Sequence, residues 1–293
     1  MSVANEQKRK VVLALCASRG MDFALGVTIL SFLKHNAWFK KQCGDIWVYH
    51  NGIHRKSRKT LLELYPRTHF ENYSFFSIRS LFSYSYWRFS SLIFARFDQL
   101  KLLDSYDIVL GSDIDVIFVN TIEDILQIRE AAAFLTGGTT SDHFFDPIPN
   151  ELNFLRGRKS LSMGMYVLKK EIGNTLASEE AYRIYEKFCF KLRLPEQGVF
   201  NILFHANQID TANLGPQYAS RVLLHDTRIL HASGYRKLWD QENTYFHKWY
   251  RSWLGLGGRP KGNWFSLSSV TRRTVARFLH RAYRFSRRMR SVN

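Results

Sequence analysis

LGSDIDVIF, residues 110–118, sets two carboxylates, Asp113 and Asp115, two positions apart inside an otherwise apolar run. With residues 106–110 before it, the run reads as a buried strand that ends in the acidic pair. Side chains two apart on a strand leave the same face. Two neighbouring carboxylates resist joint ionisation unless a cation sits against them, and such hard oxygen ligands suit Mg²⁺ or Mn²⁺. The alternative is a solvated acidic turn. A bare Asp-x-Asp does not separate the two.

Around this run, apolar strands and helices alternate. Residues 10–17 are continuously apolar and bounded by Ser18-Arg19-Gly20, as expected of a strand buried on both faces. Helical spacing follows over 24–34, a second strand over 45–49 and a second helix over 56–64. A long amphipathic helix is expected over 86–103, strands over 131–135, 161–168 and within 221–230, and helices over 179–192 and from 195 to 204. This order implies an α/β fold with a mainly parallel central sheet flanked by helices. The Trp-, Gly- and Lys/Arg-rich stretch 243–264 is expected to leave the main fold, and 270–289 to form a closing helix. The division is therefore 1–242 as the main domain and 243–293 as a C-terminal extension.

Composition narrows the function classes. The net charge of +17 is uneven: residues 243–293 carry twelve Lys or Arg and no acid, which leaves +5 for the rest. In 270–289, Val275, Phe278, Leu279, Ala282, Phe285 and Met289 follow helical spacing, with Arg272, Arg273, Arg277, Arg281, Arg284 and Arg288 filling much of the remainder. That pattern suits an interfacial helix on an anionic membrane, assisted by Trp249, Trp253 and Trp264; a basic helix packed on the domain is the plainer reading. No apolar stretch reaches the 18 or more residues of a spanning helix. The three cysteines are widely spaced and lack metal-site pairing, so a reducing, cytoplasmic setting without disulfides is expected. A basic nucleic-acid-binding protein or metal-dependent nuclease is the rival from another class. Confinement of the charge to a tail, and the absence of known nucleic-acid motifs, argue against nucleic acid as a partner.

Two later segments bear on the acidic pair. ILHASGYRKLW, residues 229–239, delivers His231, then small residues with Gly234, then Lys237. A histidine can complete a metal shell, and a flexible backbone with a lysine can hold a diphosphate. PEQGVFNILF, 195–204, places Glu196, Gln197 and Asn201 at the start of a helix.

Taken together, the first strand and helix, FARF at 94–97, SDIDVIF, LSMGMYVLKK, EQGVFN and HASGYRKLW resemble the family 8 glycosyltransferases, retaining enzymes of the GT-A nucleotide-diphospho-sugar transferase fold. The resemblance covers most of 10–240. It implies that Asp113, Asp115 and His231 bind Mn²⁺ or Mg²⁺, with Asp113 also near the donor ribose. It implies that Arg96 contacts the donor sugar or diphosphate, and that Gly234 and Lys237 form the diphosphate loop. Gln197 would face the reacting side of the sugar with Glu196 beside it. Ser162 stands where the family has a sugar-contacting Asn, and Gly198 where it often has Asp. Ala17, Ser18 and Met21 replace the family's Thr/Asp-rich base loop. The implied activity is transfer of galactose or glucose from a UDP-sugar to a glycan or glycolipid hydroxyl, in cell-surface polysaccharide or lipopolysaccharide synthesis. The implied location is the inner face of the membrane, reached through the C-terminal helix. An inactive relative of the same fold is the alternative within this class.

Overall fold

The computed structural model describes residues 9–78, 90–232, 237–262 and 274. In chain order its first half contains β1 (Val11–Ala17), α1 (Asp22–His35), α2 (Ala37–Lys41), β2 (Asp45–His50), α3 (Arg55–Leu64) and β3 (Thr68–Asn72). Helical turns over 91–104, with α4 (Ala95–Asp98) at their centre, lead to β4 (Ile108–Ser112) and β5 (Val116–Phe118). Then come β6 (Ala132–Thr140), β7 (Lys159–Lys169), α5 (Ser178–Phe188) and α6 (Pro195–Ala206). β8 (Thr211–Asn213), β9 (Ile229–His231) and α7 (Thr244–Gly255) complete the principal elements.

β1 is apolar throughout, and its side chains divide by parity. Val11, Leu13, Leu15 and Ala17 enter one core, Val12 and Ala14 the other. A strand that is apolar on both faces needs cover on both faces. α1, α2, α3 and α7 contribute to the first core; α5, α6 and the turns over 91–104 contribute to the second. The seven strands of the main sheet lie in the order β3-β2-β1-β4-β7-β6-β8. Neighbours from β3 to β4 are parallel, as are β6 and β8, while β7 runs antiparallel between β4 and β6. The expected α/β architecture with a mainly parallel sheet is what the chain forms.

Four local expectations change. LGSDIDVIF is not one strand: the chain leaves the main sheet after Ser112 and enters a second, two-stranded sheet at Val116, where β5 pairs antiparallel with β9. Asp113 and Asp115 lie in the crossing between the sheets. The helix expected over 86–103 is a series of short 3₁₀ and α turns from 91 onward, while 86–89 lie outside the described residues. The strand expected within 221–230 is confined to 229–231.

The fourth concerns the stretch after 243, which packs onto the fold instead of leaving it. Trp253 of α7 is wholly buried against α1, because a β-carbon at Gly26 would fall 2.3 Å from its ring and one at Gly258 2.0 Å from it. The two glycines form a slot for the indole, whose Nε1 donates to the Arg259 carbonyl at 2.8 Å. Removing a buried aromatic of this kind costs about 3–5 kcal/mol. The closing helix expected over 270–289 lies outside the described residues, apart from Thr274.

Candidate functional site

In parallel sheets, ligand sites form beyond the carboxyl ends of the strands. Leu15 of β1 pairs with Ser112 of β4, so Ala17–Met21 and Asp113 leave the same edge of the sheet side by side. The Asp113 N–H donates to the Gly164 carbonyl at 3.0 Å, which fixes the start of the acidic crossing against β7. At the other end Val116 pairs with His231, so β9 delivers its last residue to the carboxylates.

His231 Nε2 lies 3.4 Å from Asp113 Oδ2 and 3.5 Å from Asp115 Oδ1. One ligand atom from each of the three residues falls within 4.8 Å of the others. Two cations close the cluster. Arg96 ion-pairs with Asp113 and donates from Nη1 to the Met163 carbonyl at 2.6 Å, and Lys237 ion-pairs with Asp115. Burial pushes the His231 imidazole toward its neutral form, but its contact with Asp115 and the charges of Asp113 and Asp115 outweigh this and raise its pKa. Burial likewise opposes ionisation of Asp115, yet His231 and Lys237 prevail and hold that carboxyl well below the usual range. Asp115 is therefore held in its anionic form, and a cation placed here would compete with a proton for His231.

Glu196 and Gln197 open α6, with Pro195 at its first position. Glu196 is buried, and its Oε2 has no hydrogen-bond partner among the described residues. Burial raises its pKa, with Arg96 opposing in part. Gln197 is half-buried beside it, and its side chain also opposes that rise in part. Asn201 serves the scaffold: its side chain bonds both the N–H and the carbonyl of Leu161 at 3.0 and 2.9 Å, tying α6 to β7.

Of the remaining expected residues, Ala17 is fully buried at the end of β1, and Met21 is buried at the head of α1. Ser18 is half-buried, and its carbonyl accepts from the Met21 N–H at 2.9 Å. Their link to the carboxylates is the shared sheet edge. Ser162 is half-buried on β7, two residues before Gly164, whose β-carbon position faces the His231 ring at 3.1 Å. Gly234 lies outside the described residues. Gly198 is packed beside Leu192: a β-carbon there would come within 2.3 Å of Leu192 Cδ2.

The residues that hold the crossing in place were not anticipated. Thr28 and Ser31 are polar, fully buried and three apart on α1, a spacing visible in the sequence as two hydroxyls within an apolar helix. Thr28 Oγ1 reaches the carbonyls of Ile114 and Val116, and Ser31 Oγ accepts from the Phe118 N–H at 3.1 Å. Asn51 Oδ1 accepts from the Arg19 N–H at 2.9 Å and steadies the loop after β1.

The sequence matches no protein-family model and no curated protein. Solved structures do match. The bifunctional glycosyltransferase WbbM, in its apo form, superposes with a TM-score of 0.62 at 15% identity, over 87% of this chain and 52% of that one. The galactosyltransferase LgtC, in complex with donor and acceptor sugar analogues, superposes with a TM-score of 0.63 at 14% identity, over 84% of this chain and 99% of that one. The glycosyltransferase GlyE of Streptococcus pneumoniae TIGR4 follows with a TM-score of 0.54 at 14% identity, over 87% and 66%. This chain thus spans about half the length of WbbM, just under two thirds of GlyE and nearly all of LgtC. The shared architecture is the GT-A glycosyltransferase fold.

Proposed function

We propose that the protein is a metal-dependent retaining hexosyltransferase, moving galactose or glucose from a UDP-sugar to a hydroxyl of a glycan or glycolipid. Cell-surface polysaccharide or lipopolysaccharide synthesis is the setting this activity serves. The observation that carries the reading is the convergence of Asp113, Asp115 and His231 between two cations at the carboxyl edge of the sheet. Two carboxylates and an imidazole are a donor set that Mn²⁺ or Mg²⁺ accepts. Opposite ligands of such an ion stand about 4.2 Å apart, so atoms within 4.8 Å of one another need only small side-chain movements to share one. A bound ion would supply charge neutralisation for a diphosphate leaving group.

The chain's own residues then divide the work. Lys237 and Arg96 share the charge developing on the diphosphate, a role the family resemblance extends to Gly234, which lies outside the described residues. Ala17, Ser18 and Met21 line the nucleotide-base pocket, and Asp113 lies by the ribose. Ser162 contacts the sugar. Gln197, a poor nucleophile, positions the sugar for front-face attack by the acceptor hydroxyl. Glu196, biased toward its neutral form by burial, can donate a hydrogen bond to a sugar hydroxyl. The structural neighbour LgtC carries a glutamine in its active site, known from its glutamine-to-glutamate mutant, which is in keeping with the role proposed for Gln197. We place the protein at the cytoplasmic face of the membrane through the basic helix expected over 270–289, which lies outside the described residues apart from Thr274. Trp253, expected to assist it, is instead buried in the fold, and no helix among the described residues is long and apolar enough to cross a membrane. A panel of nucleotide sugars offered with Mn²⁺, with the product's anomeric configuration read by NMR, tests the reading. A UDP-hexose should be consumed with retention, and an inverted product would contradict it.

A further inference from the structure

Between α3 and the edge strand β3 runs an open groove of about 510 Å³, lined by Arg55, Arg58, Lys59, Leu62, Glu63 and Phe70. Its apolar part is Leu62, 41% exposed, together with the half-buried Phe70. Around these stand three cations and one carboxylate. Among the described residues Glu63 pairs with Lys59 alone, at 3.8 Å between two well-exposed side chains, so it offsets little of the charge. Arg55 and Lys56 open α3, Arg58 follows in its first turns, and no acid balances them in the first turn. Positive charge is disfavoured at a helix N-terminus, so this arrangement is better suited to an anion than to helix stability. A surface that is cationic at the rim and apolar on the floor fits an anionic amphiphile.

The groove is also well placed. β2 is parallel to β1 and β4, so α3, which follows β2, begins at the carboxyl edge of the sheet, the edge that carries Asp113. Gly257, just past α7, lies against α3: a β-carbon there would be 4.0 Å from Lys56 Cε. The exposed Arg259 and Lys261 follow directly. The chain carrying Arg259 and Lys261 therefore passes beside α3, with Lys261 itself paired to Asp240 at 2.8 Å.

We propose that this groove is a docking site for the phosphate headgroup of an anionic membrane lipid, with the glycerol and first methylenes of the lipid against Leu62 and Phe70. It acts beside the C-terminal extension and turns the donor-site edge of the sheet toward the bilayer. The choice of a membrane as occupant rests on the peripheral location proposed above; the groove itself does not.

Full-length protein is sedimented with phosphatidylcholine vesicles with and without phosphatidylglycerol. The Arg55→Gln/Arg58→Gln/Lys59→Gln variant should bind the anionic vesicles at least about tenfold more weakly, since each cation near such a surface contributes severalfold. A control, Lys34→Gln/Lys40→Gln/Lys41→Gln, removes equal charge from exposed sites at the far end of α1 and from α2 and should lose much less. Equal losses in the two variants would mean that net charge alone matters and would overturn the groove, as would wild-type binding by the first variant. Saturable binding of soluble glycerol phosphate that the groove variant abolishes, with vesicle binding unchanged, would also overturn the membrane assignment. Both variants should keep wild-type hydrolysis of a nucleotide sugar in solution. Loss of vesicle binding in a protein with no such activity would leave the groove standing and remove the transferase reading.

Discussion

The Thr28 hydroxyl of α1 lies 2.8 Å from the carbonyl oxygen of Ile114 and also reaches that of Val116 at 2.9 Å. Those two residues flank Asp115, so one buried hydroxyl ties the first helix to the backbone that aims a carboxylate. Thr28→Val keeps the shape and removes the donor, which leaves buried carbonyls unsatisfied at a cost of about 1–3 kcal/mol. We expect a lower Tm together with weaker Mn²⁺ binding by calorimetry. Unchanged values for both would show that the crossing does not depend on α1.

Gly164 faces the His231 ring closely, with its β-carbon position 3.1 Å from Cε1. In Gly164→Ala the imidazole has to yield by a few tenths of an ångström. The fold should survive with little change in Tm, while Mn²⁺ affinity falls about tenfold, the scale of effects from displaced groups around metal ligands. A variant with normal affinity would place His231 outside the ion's shell.

Arg96 is buried and serves both Asp113 and the Met163 carbonyl. Arg96→Leu leaves Asp113 without its partner. Losing one side of a buried pair costs about 3–5 kcal/mol, but the Asp113 side chain is 31% exposed and solvent screens part of the charge. We expect roughly 2–3 kcal/mol by denaturant unfolding. Arg96→Lys should recover only part of this, since a single ammonium replaces a forked donor.

The Glu196 carboxyl holds its proton more tightly in the folded chain, because burial raises its pKa above the ordinary value. Between the unfolded and folded values the folded state binds more protons, so this residue's contribution to stability falls as pH rises through that window. Glu196→Gln removes the penalty. The variant should be more stable than the wild type at pH 8, with the difference vanishing below the ordinary glutamate value of the unfolded chain. Glycosyl transfer should fall in the same variant if the carboxyl touches the sugar. A stability difference that grows on acidification would refute the raised pKa.

Much of this was legible in the sequence, for physical reasons that differ by element. β1, β2, α1 and α3 are readable because apolar runs end at polar boundaries. β3, THFEN, and β8, TAN, escape because edge strands expose polar side chains and are held mainly by backbone pairing. The change of sheet inside LGSDIDVIF is invisible because the strands on either side are equally apolar. α7 was expected to leave the fold, since nothing local reveals that Gly26 and Gly258 make room for Trp253. At the site, Asp113, Asp115 and His231 were readable as charged or ligating groups in apolar surroundings. Gly164 was not, because its part is to be small next to a residue far along the chain.

The most direct test of the central claim compares wild type with Asp115→Asn, each given a UDP-hexose with Mn²⁺ or with chelator. Hydrolysis or transfer by the wild type should depend on the metal, and the variant should lose about 10²–10³-fold in kcat/KM while keeping its fold by circular dichroism. Metal-independent turnover, or an Asp115→Asn enzyme as active as the wild type, would contradict a catalytic cation held by Asp113, Asp115 and His231.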